Sequence, residues 1–125
     1  MAKKFKIANN PTFKSKVSIP RVGGDEIEVE FEFKYLTRKE LAKVYEGWQE
    51  KLTDLNITDD TTLSELTDIE VELQIKQLKD IVQGWDFEDE FNDDNIEQLV
   101  ETSVFAAKTV IEAYQEAYMK AKVGN

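Results

Sequence analysis

Apolar and polar residues alternate strictly in the first third of the chain. In residues 26–35 the odd positions are apolar or aromatic and the even positions are charged. A period of two places the two sets on opposite faces of a strand. Residues 13–19 show the same alternation, and Gly23-Gly24 separates the two segments, so the pattern predicts an antiparallel β-hairpin. Phe5 and Ile7 are candidates for a short further strand.

The parity of the two strands constrains their turn. A two-residue Gly23-Gly24 turn would place Ile19 opposite the charged Glu28. A three-residue or bulged turn over residues 23–25 places Ile19 opposite Val29 instead, and is therefore predicted, because a slip of one residue would reverse every side chain. The same register pairs Val17 with Phe31 and Lys16 with Glu32.

The remainder of the chain shows helical spacing and helix-capping signals. Thr37–Glu40 is a capping box before the first predicted helix, and Thr62–Glu65 gives the same signal before the second. The apolar stripe of the second helix continues through Val82 to Trp85. Residues 69–75 also alternate with the period of a strand, but the good helix formers around them favour a helix.

Two further helices complete the predicted fold. Asp94–Glu97 opens a short third helix, and the fourth extends from about Ser103 to Lys122. The sequence therefore predicts an α+β fold, with an N-terminal antiparallel hairpin or small sheet followed by about four helices. We expect residues 1–125 to form a single domain, with the hairpin region at 1–36 and the helical region at 37–125.

The predicted fourth helix carries an apolar arc that is wider than one packing partner requires. One stripe extends from Val104 to Ala121, and a second lies about 100° around the helix. Two interpretations remain open: the helix is wedged between two helices of its own domain, or its alanine-lined side binds another subunit or protein. On the second interpretation the partner-binding residues are Ala106, Val110, Ala113, Ala117 and Tyr118.

Charge and composition exclude several classes of function. The net charge of −10 would repel a phosphate backbone, so we expect no nucleic acid partner. The chain has no cysteine and no histidine, which excludes the usual zinc sites and removes the commonest general base. No apolar run is long enough to span a bilayer, so we expect no membrane partner and a cytoplasmic location. Residues 1–24 contain six basic and no acidic side chains, which either dock a partner or are neutralised within the fold.

The acidic run between Asp86 and Asp94 is the one candidate for site chemistry. Oxygen ligands suit calcium or magnesium, but no glycine stands at the sixth position that an EF-hand loop requires. No nucleophile is paired with a base. We therefore expect no metal, no cofactor and no catalytic residue.

Several aromatic and helix-capping motifs are similar to those of one known family. They are Gly84-Trp-Asp-Phe87, Phe91-Asn-Asp-Asp-Asn-Ile-Glu-Gln-Leu99, Ile111-Glu-Ala-Tyr114, the terminal Gly124-Asn125 and, upstream, Tyr35-Leu-Thr-Arg-Lys-Glu-Leu41. In these the chain resembles the tail assembly chaperones of long-tailed bacteriophages, most clearly over residues 35–52 and 82–125. The family often has a helix-breaking proline or glycine where Thr102-Ser103 stand here.

The resemblance implies a non-catalytic role in building siphophage tails. Such chaperones coat the tape measure protein and contact the tail tube protein in the host cytoplasm, and they leave before the virion is complete. Many are also made in a longer, frameshifted form. From the wide apolar arc of the fourth helix we also expect a homo-oligomer. Two alternatives from other classes share the bulk properties: a phage or prophage head–tail connector adaptor, and an acidic DNA-mimic inhibitor. A small acid-dependent hydrolase is a third.

Overall fold

A computed structural model of the protein describes residues 4, 7, 11–21 and 23–122. It confirms the α+β class, with a three-stranded antiparallel sheet and four helices. The elements in chain order are β1 (Thr12–Ile19), β2 (Ile27–Lys34), α1 (Arg38–Thr53), α2 (Leu63–Ile81), β3 (Val82–Trp85), α3 (Asp93–Thr102) and α4 (Ala106–Lys122). The candidate strand at Phe5 lies outside the described residues.

The hairpin has the predicted parity but not the predicted register. Ile19 pairs with Ile27 and Val17 with Val29, so each pairing is displaced by two residues from the one predicted. The predicted turn over residues 23–25 is therefore wrong. β1 ends at Ile19 and β2 begins at Ile27, so residues 20–26 connect the two strands. Pro20 follows directly after β1, and a proline has no N–H group with which to extend the ladder.

Charged residues form a cross-strand array on the solvent face of the sheet. The Lys14 ammonium lies 4.0 Å from a Glu30 carboxylate oxygen, and that of Lys16 lies 3.5 Å from Glu28. All four side chains are largely exposed, so each pair stabilises the fold by less than about 1 kcal/mol. Part of the basic N-terminal charge is thus neutralised within the sheet.

The third strand was not predicted. The apolar stripe of α2 was expected to continue to Trp85, but the helix ends at Ile81 and residues 82–85 turn into β3. β3 pairs with the far side of β2, with Trp85 opposite Phe31. Val82 and Trp85 fit the apolar spacing of α2, so the spacing alone does not distinguish a longer helix from a strand. The pairing with β2 is what makes residues 82–85 a strand.

The helix starts follow local capping chemistry. The Thr37 hydroxyl accepts from the Glu40 N–H and the Glu40 carboxylate accepts from the Thr37 N–H, which confirms the capping box. Thr62 caps α2 as predicted, and residues 69–75 are helical. For α3 the cap is Asn92 rather than Asp94, since its side chain accepts from the Asn95 N–H.

The fourth helix begins three residues later than predicted. Ser103 has an extended backbone and is buried, and its hydroxyl donates to the Pro20 carbonyl oxygen at 2.9 Å. This contact ties the junction between α3 and α4 to the end of β1. Val104 and Phe105, which follow, are exposed, and the helix starts at Ala106.

The core forms where the inner face of the sheet meets α2, α3 and α4. Its largest fully buried side chains are aromatic: Tyr114 from α4 and Phe31 and Phe33 from β2. The ring of Phe33 lies edge-on to that of Tyr114, with 5.2 Å between their centroids. α1 reaches the core chiefly through the buried Leu41 and Trp48.

Replacing Tyr114 with phenylalanine should change the response of stability to high pH. The Tyr114 hydroxyl donates to the Lys34 carbonyl oxygen at 3.3 Å, so its loss should cost about 0.5–1.5 kcal/mol at neutral pH. Burial raises the pKa of Tyr114 well above its usual range. Because the folded-state pKa is the higher one, the stability linked to this group is complete below about pH 10 and is lost as the pH rises further. Urea unfolding at pH 7 and 11 should therefore show a smaller pH-dependent loss in Tyr114→Phe than in the wild type, and an equal loss would contradict the prediction.

Candidate interaction surfaces

The five predicted partner-binding residues on α4 do not share one exposed surface. Ala106 and Val110 are fully buried in the core of the chain itself. Ala113, Ala117 and Tyr118 are half-buried and keep part of their surface accessible. The wide apolar arc is thus explained in part by packing on both the sheet and α2, and partner binding by the three accessible residues stays a prediction.

Tyr118 lies in an apolar groove between α1 and α4, which we call the α1–α4 groove. The groove has a volume of about 430 Å³, and its walls are Arg38, Leu41, Ala42, Tyr45, Gln115, Tyr118 and Met119. The Tyr118 hydroxyl donates to the Leu36 carbonyl oxygen at 2.9 Å, which fixes the ring against the start of α1. Burial raises the pKa of Tyr118 above its usual value.

The sides of this groove differ in exposure. Leu41 is buried at its floor, whereas Met119 is 56% exposed at its rim and Ala42 is also exposed. Methionine adapts its shape to different partners, and small residues such as alanine permit close approach. An apolar groove between two helices with such a rim is suited to an amphipathic helix of another protein.

A second groove lies between the sheet and α3, and we call it the α3 groove. It has a volume of about 330 Å³, and its apolar walls are Ile19, Ile27, Trp85, Phe87 and Leu99. Polar residues stand around it, among them Arg21, Asp89, Asn95, Gln98 and Thr102. The cavity lies within the size range of small-ligand pockets, roughly 300–1,000 Å³.

An aromatic cluster holds one wall of the α3 groove in place. The ring of Trp85 lies edge-on to those of Phe87 and Phe91, with centroid separations of 5.0 Å in both pairs. Its indole N–H donates to the Asp89 carbonyl oxygen at 2.7 Å. The two phenylalanines of the acidic run therefore anchor that run to β3.

The acidic run shows no sign of a metal centre. Among the described residues no group of three or more acidic side chains is placed to hold a metal ion. Asp93 is engaged instead with Lys79 of α2, whose ammonium lies 3.1 Å from its carboxylate. Asn92 and Asn95 bond to the backbone at the start of α3.

Sequence reasoning named the helix face that carries Tyr118 and did not predict either groove. The periodicity of a helix shows which residues share a face, but the width of a groove depends on how far α1 stands from α4. No sequence signal marked the grooves, because the exposure of Met119 at the rim of the α1–α4 groove is visible only in the fold. Within the part of the chain that the structure describes, no helix is long and apolar enough to cross a bilayer.

The fold and its grooves define a small α+β protein with surfaces suited to binding other proteins. A family model described as phage tail assembly chaperone matches residues 1–125, the full length of the sequence. The chain therefore belongs to the phage tail assembly chaperone family, as its motifs indicated. Comparisons with curated proteins and with solved structures found no match.

Proposed function

We propose that the protein is a non-catalytic chaperone that binds the tape measure protein and the tail tube protein during assembly of a long phage tail. It acts as a homo-oligomer in the cytoplasm of the bacterial host and leaves before the virion is complete. Membership of the tail assembly chaperone family supports partners among the tail proteins. The observation that carries the proposal is the α1–α4 groove with its exposed Met119 rim.

The chemistry of this groove favours a helical partner. Its walls are mainly apolar, and Arg38 at one side offers a charged hydrogen-bond donor to a partner carboxylate. A partner that must later be released requires modest affinity at each contact, which a shallow apolar groove of about 430 Å³ provides better than a deep pocket. Repeated shallow contacts along a long helical protein would give avidity that is lost stepwise.

A DNA-mimic function has less support. The glutamates of β2 face the lysines of β1 at distances of 3.5 and 4.0 Å, so part of the acidic charge is neutralised within the sheet. Mimicry of a duplex would require acidic groups arrayed without such partners, since a phosphate backbone carries regular, unneutralised charge.

Charge placed in the α1–α4 groove should abolish capture of the tape measure protein. Met119→Glu leaves the fold intact, because Met119 is exposed at the groove rim. It should weaken binding at least tenfold, or about 1.4 kcal/mol, because a partner would bury an unpaired carboxylate. The measurement is co-purification of the tape measure protein from the same phage, with affinity by titration of a purified fragment.

Leu63→Glu is the matched control for this experiment. Leu63 is also a large exposed apolar residue, 79% accessible, but it lies at the start of α2 and outside both grooves. A glutamate in the first turn of a helix is tolerated well. Equal affinity of the two variants and the wild type would refute the α1–α4 groove as the binding surface.

A further inference from the structure

The border of the α3 groove on one side is the segment of residues 85–102, which carries an excess of negative charge, and Asp89 is the carboxylate of this segment that lines the groove itself. Residues 86–101 contain eight acidic side chains, and residues 81–107 contain no lysine or arginine. Within the described part of the chain, the only ion pair that this segment makes is between Lys79 and Asp93. Arg21, the one basic side chain that lines the groove, donates from Nε to the Asp25 carbonyl oxygen. A ligand that combined apolar side chains with positive charge would match both the walls and the border.

The N-terminal segment of the chain has that composition. Lys4 and Lys6 alternate with Phe5 and Ile7, so in an extended conformation the lysines would face one side and the apolar residues the other. Lys4 is exposed, and the side chain of Ile7 is fully exposed. An apolar side chain with no contact in its own chain is available to a partner.

The N-terminal segment is too short to fill the α3 groove of its own chain. Pro11 is held at one end of the sheet, where its carbonyl oxygen accepts from the Tyr35 N–H at 2.8 Å. The groove lies at the other end of β1, beside Ile19, and the strand between them spans about 23 Å at 3.3 Å per residue. Phe5 lies six positions before Pro11, and a fully straight chain of that length reaches at most about 20–22 Å. Ile7, four positions before Pro11, can lie at most about 14 Å from it.

We propose that the α3 groove binds the N-terminal segment Lys3–Ile7 of a second copy of the chain. Phe5 and Ile7 fill the apolar floor next to Trp85 and Leu99, and the lysines face the carboxylates along the border. The segment leaves one end of the sheet and the groove opens at the other, so the contact is head-to-tail. A contact of this type joins successive copies into a ring or an open chain. The inference gives the proposed self-association a surface that is separate from the α1–α4 groove.

Two variants of the full chain test the two sides of this contact, the N-terminal segment and the α3 groove, one at a time. The segment variant carries Phe5→Ser and Ile7→Ser, and the groove variant carries Gln98→Arg and Thr102→Arg, both exposed positions on the wall of the groove. Sedimentation velocity of the purified proteins, without any tail protein, should show self-association of the wild type that weakens at least tenfold in either variant. Raising the salt from about 0.05 to 0.5 M should weaken it as well, because the lysines and carboxylates are then screened.

A matched control and a mixing experiment complete the test. Gln49→Arg with Thr53→Arg places the same substitutions at the same spacing on an exposed part of α1 and should associate like the wild type. Mixing the segment variant with the groove variant should give a dimer that does not grow, since each supplies the half that the other lacks. A wild type that stays monomeric, or variants that associate like the control, would overturn the proposal, as would a mixture with no dimer. Because no tape measure protein is present, these outcomes are independent of the Met119→Glu result.

Discussion

Replacing Phe31 with alanine is expected to lower the free energy of unfolding by about 3–5 kcal/mol, the cost of removing a buried aromatic side chain. Phe31 is fully buried on the central strand. Its ring stacks on Phe33 with 6.0 Å between centroids, and lies edge-on to Trp85 and Phe87. The substitution therefore removes a side chain that joins the sheet to the aromatic cluster beside α3.

Urea denaturation followed by circular dichroism measures this loss, and Phe105→Ala is its control. Phe105 is 60% exposed, so the same substitution there should cost less than about 1 kcal/mol. If the two variants lost equal stability, Phe31 would not be the centre of the core. Phe31→Leu should recover much of the loss, because it leaves a smaller cavity.

Replacing Trp48 with alanine is expected to cost about 3–5 kcal/mol and to release α1 from the rest of the fold. Trp48 is 7% exposed, packs on Tyr45 and donates from its indole N–H to an Asp80 carboxylate oxygen at 2.8 Å. That bond is a direct link between α1 and α2. Few other buried side chains hold α1, so we expect the damage to be concentrated there.

Hydrogen exchange distinguishes local release of α1 from general unfolding. In Trp48→Ala the amides of α1 should exchange faster by a larger factor than those of β2, which pairs on both sides. Trp48→Phe keeps most of the packing, and Asp80 retains Lys76 at 3.0 Å, so this variant should lose less. Uniform acceleration in every element would show that α1 is not a separately anchored unit.

The parts of the fold that depend on neighbours in sequence were predictable. The capping box of α1, the Thr62 cap of α2, the class of the fold and the helix at residues 69–75 follow from local chemistry. The register was not predictable from parity alone, because both registers place apolar residues together. β3 was missed because Val82 and Trp85 fit the helical spacing, and its pairing partner is about fifty residues away.

The interaction surfaces were predictable only in part. The wide apolar arc of α4 left two interpretations open, and Ala106 and Val110 proved to lie in the core of the chain itself. Periodicity records the angle of a residue around its helix and not what covers it. The α3 groove depends on how the end of the hairpin, β3 and α3 meet, which no single segment of the sequence encodes.

The two prolines of the chain directly flank the outer strand of the sheet, and this limits its capacity to aggregate. Pro11 precedes β1 and Pro20 follows it, so neither end can add a residue that donates to a neighbouring strand. Lys14 and Lys16 alternate along the same strand and would repel an identical edge. An eight-residue edge strand that could otherwise pair with another sheet is thus closed at both ends by proline and carries two lysines between them. Copies of the chain at high local concentration are therefore kept from joining along the β1 edge of the sheet.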